Sequence, residues 1–168
     1  AHGDHTPQPW INVVARDGFG FHVSASGGGF TWAVNSRDYQ ITPWSNDPVI
    51  DPLGEAFHVR DTETGRIATP FAGLSEDPAA VYEVRHGPGY TRFRAVTDWV
   101  EIQALQVLAE GQPAKLTRLT VTNLTGRRLR LEISAYAELV LGNNRGRSAP
   151  LIRMTHDMAR RALVARNP

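Results

Sequence analysis

From Arg128 to Val140 the chain alternates without a break. Leu129, Leu131, Ile133, Ala135, Ala137 and Leu139 take turns with Arg128, Arg130, Glu132, Ser134, Tyr136 and Glu138. A period of two places the first set on one face of a β-strand and the second on the other, whereas a helix would scatter the leucines around its circumference. The preceding run, Lys115 to Asn123, alternates as well, with Thr117, Leu119 and Val121 on one side. Asn123-Leu124-Thr125-Gly126 reads as the hairpin turn between the two, and that turn also accounts for its Asn-x-Thr sequon. Further strands are expected at Phe21–Ser26 and Phe30–Val34 around Gly27-Gly28-Gly29, and at Ala56–Arg60 and Arg66–Thr69 around Asp61-Thr62-Glu63-Thr64-Gly65. Another pair is expected at Val81–Arg85 and Tyr90–Val96 around His86-Gly87-Pro88-Gly89. Trp99–Leu108 is apolar on both sides and reads as a strand buried between layers. His156–Arg161 reads as a short helix or a loop. The fold class is therefore all-β, and regular turns between short strands indicate an antiparallel β-sandwich.

A chain of 168 residues suffices for one domain with a core. Residues 1–9 are expected to be a frayed N-terminus and 10–168 the domain. The net charge of +1 gives no reason to expect nucleic acid as a partner, and no apolar run approaches a membrane span, so no direct membrane contact is expected. Without cysteine the chain has neither disulfides nor thiolate chemistry. Lys115 is the sole lysine among 18 basic residues, a bias that reads as the codon usage of a GC-rich genome. The pairs Arg127-Arg128 and Arg160-Arg161 read as solvated strand edges.

One stretch breaks the rhythm. Between Asn35 and Gly54 there is no alternation, and Pro43, Pro48 and Pro52 punctuate the segment. A structureless connection of that length in a compact domain is usually functional. Together with the end of the strand before it, it gathers Trp32, Asn35, Arg37, Asp38, Tyr39, Trp44, Asn46 and Asp47. Pyranoses have apolar C–H faces, which aromatic rings cover, and a rim of hydroxyls, which amides, carboxylates and guanidinium groups bind. The alternative is a rigid surface loop whose tryptophans close the end of the sandwich. Catalytic motifs are missing: no nucleophile elbow, metalloprotease helix or phosphate-binding loop occurs. The six histidines show no metal spacing. His22 and His58 read as structural residues of strands, and His86 reads as a turn residue or, alternatively, as one lining a site. Asp38, Asp47, Asp51 and Glu55 are present, but nothing in the sequence pairs two of them as glycosidase chemistry requires.

Three segments carry a family resemblance. They are Asn12-Val13-Val14-Ala15-Arg16-Asp17-Gly18-Phe19-Gly20-Phe21, Gly29-Phe30-Thr31-Trp32-Ala33-Val34-Asn35-Ser36-Arg37 and Ile41-Thr42-Pro43-Trp44-Ser45-Asn46-Asp47-Pro48-Val49. With Tyr82–Phe93 and Ala135–Gly142 they resemble glycoside hydrolase family 94, formerly glycosyltransferase family 36, and within it the phosphorylase-type region of cyclic β-1,2-glucan synthases. The likeness runs from about Trp10 to Pro168.

The resemblance implies a galactose-mutarotase-like supersandwich that continues past Pro168, followed by a helical linker and an (α/α)6 barrel carrying the catalytic acid. A truncated sandwich is expected to show unpaired edges and an exposed core face. In such enzymes the acid protonates the glycosidic oxygen while inorganic phosphate, a co-substrate rather than a cofactor, attacks the anomeric carbon with inversion. No catalytic residue, cofactor or metal ligand is therefore expected here. The implied partners are a β-linked gluco-oligosaccharide, the helical barrel of the same polypeptide and a homodimer mate. Trp32 and Trp44 are expected to stack on glucosyl rings, and Asn35, Arg37, Asn46 and Asp47 to bind hydroxyls or, alternatively, to hold the shape of the loop. The implied location is the cytoplasm, or the cytoplasmic side of the inner membrane within a larger bacterial protein. The remaining readings are a free-standing carbohydrate-binding module and a structural dimerisation domain.

Overall fold

Local turn chemistry decides where the chain doubles back. In the computed structural model, which describes residues 10–45, 47 and 50–168, β1 (Ile11–Arg16) and β2 (Phe19–Ser24) are joined by Asp17-Gly18 alone. Both turn residues have positive φ, 50° and 76°, the pattern of the two-residue hairpin turn that matches strand twist. The strand β3 (Gly29–Ala33) returns antiparallel to β2. The hairpin of β4 (Glu55–Asp61) with β5 (Ile67–Ala68) and that of β6 (Val81–Gly87) with β7 (Tyr90–Val96) form where the turn signals place them. The remaining strands are β8 (Val100–Leu108), β9 (Lys115–Asn123), β10 (Leu131–Ala137), β11 (Arg153–Asp157) and β12 (Ala162–Arg166), with one short helix, α1 (Arg145–Ser148).

The described strands form four antiparallel sheets, ordered β1-β2-β3, β10-β4-β5, β6-β7-β8-β9 and β11-β12. The four-stranded sheet is the base of the sandwich. Val14, Phe21 and Val23 of the first sheet pack on its Phe93 and Ala104, with Phe71 between them. Val59 and Ala68 of the second pack on its Val100 and Ile102 and on Trp99. Burying these side chains removes apolar surface from water at about 25 cal/mol per Å2, which commits the alternating strands to one inward face. The Asn12 amide ties the first sheet to the base, donating to the carbonyls of Gly87 and Tyr90 and to the Thr91 hydroxyl at 3.2, 2.8 and 2.9 Å.

Several expectations are corrected. Asn123–Gly126 is a turn, its Asn123 Oδ1 accepting from the Thr125 amide at 2.8 Å, but not a hairpin. The β9 strand pairs with β8 and β10 with β4, so the turn carries the chain from one sheet to the other. The strand of Trp99–Leu108 is one-faced: Val100, Ile102, Ala104 and Gln106 are buried, while Glu101, Gln103, Leu105 and Val107 face outward and are half-buried. His86 is not a turn residue but lies in β6, its Nδ1 3.1 Å from Thr91 Oγ1. His156–Arg161 is neither helix nor plain loop. It spans the β11–β12 hairpin, whose turn Asp157 closes by accepting from the Arg160 amide at 3.0 Å. The apolar face of β10 is uncovered, with Ile133 56% exposed.

Arg127 is solvent-exposed, as expected, but it also has a partner. It reaches back to the β4–β5 turn and pairs with the fully buried Asp61. Asp61 further accepts from the Thr64 hydroxyl at 2.7 Å and the Glu63 amide at 3.1 Å. The Thr64 hydroxyl and the Arg127 guanidinium hold the Asp61 carboxyl down at about 2, against an ordinary 3.8. A carboxyl whose folded pKa is depressed stabilises the fold above its unfolded pKa and loses that contribution as pH falls toward the folded one. The stability gap between the parent chain and Asp61→Asn is therefore expected to be constant above pH 5 and to close between pH 3.8 and 2. Urea midpoints of both proteins across that range check it, and a gap that persists at pH 2 would contradict it.

Candidate functional site

Register assigns the outward face of the β1-β2-β3 sheet. The pairs Val13↔His22, Ala15↔Gly20, His22↔Phe30 and Gly20↔Trp32 stand on the side opposite the core residues Val14, Phe21 and Val23. This face would be wet in an ordinary half-buried sheet. Here four aromatic rings occupy it. Phe30 stacks on Trp32 with centroids 5.2 Å apart and on Trp44 at 6.0 Å, with interplanar angles of 29° and 23°. The His22 ring meets Phe30 at 5.1 Å and the edges of Trp32 and Trp44 at 6.5 and 6.4 Å. Gly20 makes room for this: a Cβ there would lie 2.5 Å from the Trp32 ring, so only glycine lets the indole lie flat across β2. Burial holds His22 below the ordinary imidazole value, with Asp51 opposing, which keeps the ring neutral among its neighbours.

Trp44 arrives from the long connection, which three anchors fold over this face. Gln40 bridges Trp32 on one side and Gly142 on the other, so the connection begins as an added rung of the sheet. Thr42 Oγ1 accepts from the Thr31 amide at 2.8 Å and donates to Glu55 at 2.9 Å. Ser24 Oγ donates to Asp51 at 2.5 Å. Glu55, the acceptor at the centre, also takes the Thr31 hydroxyl at 2.6 Å and pairs with Lys115, whose ammonium lies 4.6 Å from the Phe21 ring centroid. Burial pushes the Glu55 carboxyl up, yet the Lys115 ammonium and the two threonine hydroxyls outweigh it and hold the group below its ordinary value. Two of the four loop carboxylates, Asp51 and Glu55, are thus structural anchors.

The structure brings Trp32 and Trp44 together on Phe30. Trp32 is half-buried, while Trp44 is 50% exposed and offers an uncovered ring surface. Asn35 and Arg37 sit on the tight loop that leaves β3. Asn35 Oδ1 accepts from the amides of Arg37 and Asp38 at 3.0 and 2.8 Å, so its side chain holds the loop. The Arg37 guanidinium has no carboxylate partner among the described residues. Asp47 Oδ1 accepts from the Ile50 amide at 3.0 Å. Asn46 lies outside the described residues. His22 and Phe30, which complete the ring cluster, were not among the candidate residues read from the sequence. Their signal was the spacing of Gly20 and His22 opposite Phe30 and Trp32 across the glycine turn, which shows only once the register is fixed.

An aromatic surface half open to water, with a guanidinium nearby along the chain, suits a ligand with apolar faces and hydroxyl rims. A family model described as "Glycosyl hydrolase 94, supersandwich domain" matches residues 1–168. The chain is 50% identical over 166 residues to the cyclic beta-(1,2)-glucan synthase NdvB of Rhizobium meliloti (strain 1021), covering 99% of the chain and 6% of that protein. It is 25% identical over 138 residues to the N,N'-diacetylchitobiose phosphorylase of Vibrio furnissii, covering 79% of the chain and 17% of the relative. The match to the Vibrio proteolyticus enzyme of the same name is 23% over 124 residues, covering 70% of the chain and 15% of the relative. The chain thus spans less than a fifth of each of these relatives. No helix among the described residues is long and apolar enough to cross a membrane.

Proposed function

The chain belongs to the glycosyl hydrolase 94 supersandwich-domain family, and from that premise we propose that its outward aromatic face holds a β-linked gluco-oligosaccharide for a catalytic domain elsewhere in the same polypeptide. The observation that carries the proposal is Trp44, stacked on Phe30 on one side and half open to solvent. A side chain kept merely to fill the core would be covered. On this reading Trp44 and Trp32 offer stacking surface, Arg37 binds hydroxyls, and Asn35 and Asp47 shape the loop that presents them, with Asn46 beside Asp47 as a further hydroxyl ligand. The chemistry belongs to the (α/α)6 barrel, whose acid protonates the glycosidic oxygen while inorganic phosphate attacks the anomeric carbon. On the same reading the domain works in the cytoplasm or on the cytoplasmic side of the inner membrane, within an enzyme that forms a homodimer.

The first test is release of glucose 1-phosphate from β-1,2-gluco-oligosaccharides and phosphate by the natural polypeptide that carries residues 1–168. Release supports the reading; no release from β-1,2, β-1,4 or β-1,3 substrates turns attention to a binding module. Within an active polypeptide, Arg37→Ala is expected to raise KM for the oligosaccharide about tenfold, the worth of one charge-assisted hydrogen bond of roughly 1.5 kcal/mol, with kcat nearly unchanged. An unchanged KM removes Arg37 from the site.

A further inference from the structure

The side of the sandwich away from the ring cluster is chemically different. Across the outward face of the four-stranded sheet, register lines up Arg85↔Arg92, Arg92↔Leu105 and Leu105↔Arg118, so that three arginines and one leucine form a single row across β6, β7, β8 and β9. Arg85 and Arg92 are direct cross-strand neighbours. Their Cβ atoms stand about 5 Å apart, and like charges so placed destabilise a sheet. The neighbouring row shows the ordinary remedy. Arg94 is held by Glu101 through two hydrogen bonds of 3.0 and 2.6 Å. In the arginine row Glu83 engages only Arg85. Arg92 and Arg118 have no carboxylate partner among the described residues. Because Leu105 is shorter than the arginines on either side, the row encloses a shallow depression, which Tyr90 and Gln103 also line.

We propose that this depression is a second binding site, independent of the aromatic face, that takes an oxyanion carried by a small molecule: a phosphate, either free or borne on a sugar. A guanidinium presents donors in a planar fork matched to phosphate oxygens. Arg92 and Arg118, flanking Leu105, are positioned to clamp one anion from two sides, and Arg85 adds a third positive charge. The Tyr90 ring at the edge gives a sugar-borne phosphate an apolar surface, and the Gln103 carboxamide, whose Nε2 is already donated to Glu101 at 2.7 Å, keeps its carbonyl oxygen for a hydroxyl. The bound anion supplies the negative charge that the row lacks.

The test is titration of the chain with inorganic phosphate at constant ionic strength, chloride making up the balance, read by thermal shift and by the arginine Nε–H resonances. The parent is expected to show a saturable phosphate response that chloride does not reproduce. The double variant Arg92→Gln/Arg118→Gln is expected to bind phosphate at least tenfold more weakly. In chloride alone it should be as stable as the parent or more so, because a like-charge contact is removed. That sign separates a binding role from a structural one. A hexose phosphate that binds several-fold tighter than inorganic phosphate, with the gain lost in Tyr90→Ala, identifies a sugar-borne anion, whereas equal affinities identify free phosphate. No saturable response to either probe, or an undiminished response in the double variant, overturns the proposal.

Discussion

Glu55→Ala is expected to lower the stability of the chain by about 3–5 kcal/mol, the cost of leaving a buried charge without its partner. The Lys115 and Glu55 side chains are only 10% and 12% exposed, so water cannot replace the lost carboxylate. The same substitution removes the acceptor of both the Thr31 and the Thr42 hydroxyls, so the connection that carries Trp44 loosens along with the core. Urea unfolding gives the magnitude, and hydrogen exchange at the Thr31 amide, which donates to Thr42, reports the loop. The companion variant Glu55→Met/Lys115→Met removes both charges while keeping volume, and is expected within about 2 kcal/mol of the parent, because a buried pair gains little over a well-packed apolar replacement. A Glu55→Ala loss below 1 kcal/mol, or a double variant as unstable as the single, would show that the pair is not the anchor.

Trp44→Ala is expected to weaken binding of a β-linked gluco-oligosaccharide about thirtyfold, the roughly 2 kcal/mol that a well-placed tryptophan carries at a binding surface, with little change in thermal stability, since half of the ring is already in water. Phe30→Ala makes the contrast. Phe30 is 2% exposed and lies beneath both indoles, so its removal should reduce stability by about 3–5 kcal/mol together with affinity. Calorimetric titration of each variant beside its melting curve separates the two effects. An affinity within twofold of the parent in Trp44→Ala would leave the ring as a plug for the end of the sheet, the alternative that the sequence left open.

What could be read before the structure follows from the range of the signals. Hairpins at Gly27–Gly29, Asp61–Gly65 and Pro88-Gly89 were legible because the turn chemistry is local and the strands it joins are neighbours. The Asp17-Gly18 hairpin carried the same kind of local signal, although no strand was expected ahead of it. The Asn123 turn misled for a different reason. Its four residues bend the chain identically whether the next strand pairs back or crosses to the facing sheet, and that choice is made by the β4 edge, more than fifty residues upstream in sequence. The long connection stood out as a candidate site through its prolines and its mixture of aromatic and polar residues. Its floor was not, because His22 and Phe30 look like ordinary strand residues until the register sets them beneath Trp44. Lys115 had a visible signal, a single lysine in a chain otherwise served by arginine. A compact ammonium fits between Glu55 and the Phe21 ring where a broad planar fork does not.

That solitary amine has a practical consequence. All other basic side chains of the sequence are guanidinium groups, which acylating reagents leave alone, or imidazoles, whose acyl adducts hydrolyse readily. The only lysine is sealed where the first strand residue of β9 meets the root of the tryptophan-bearing connection. A reagent that acylates amines can therefore enter the folded interior of this domain at one place, and only during the moments when that seam parts. The rate at which Lys115 becomes modified is a clock for the breathing of the sandwich, wound by the sequence itself and needing no introduced probe.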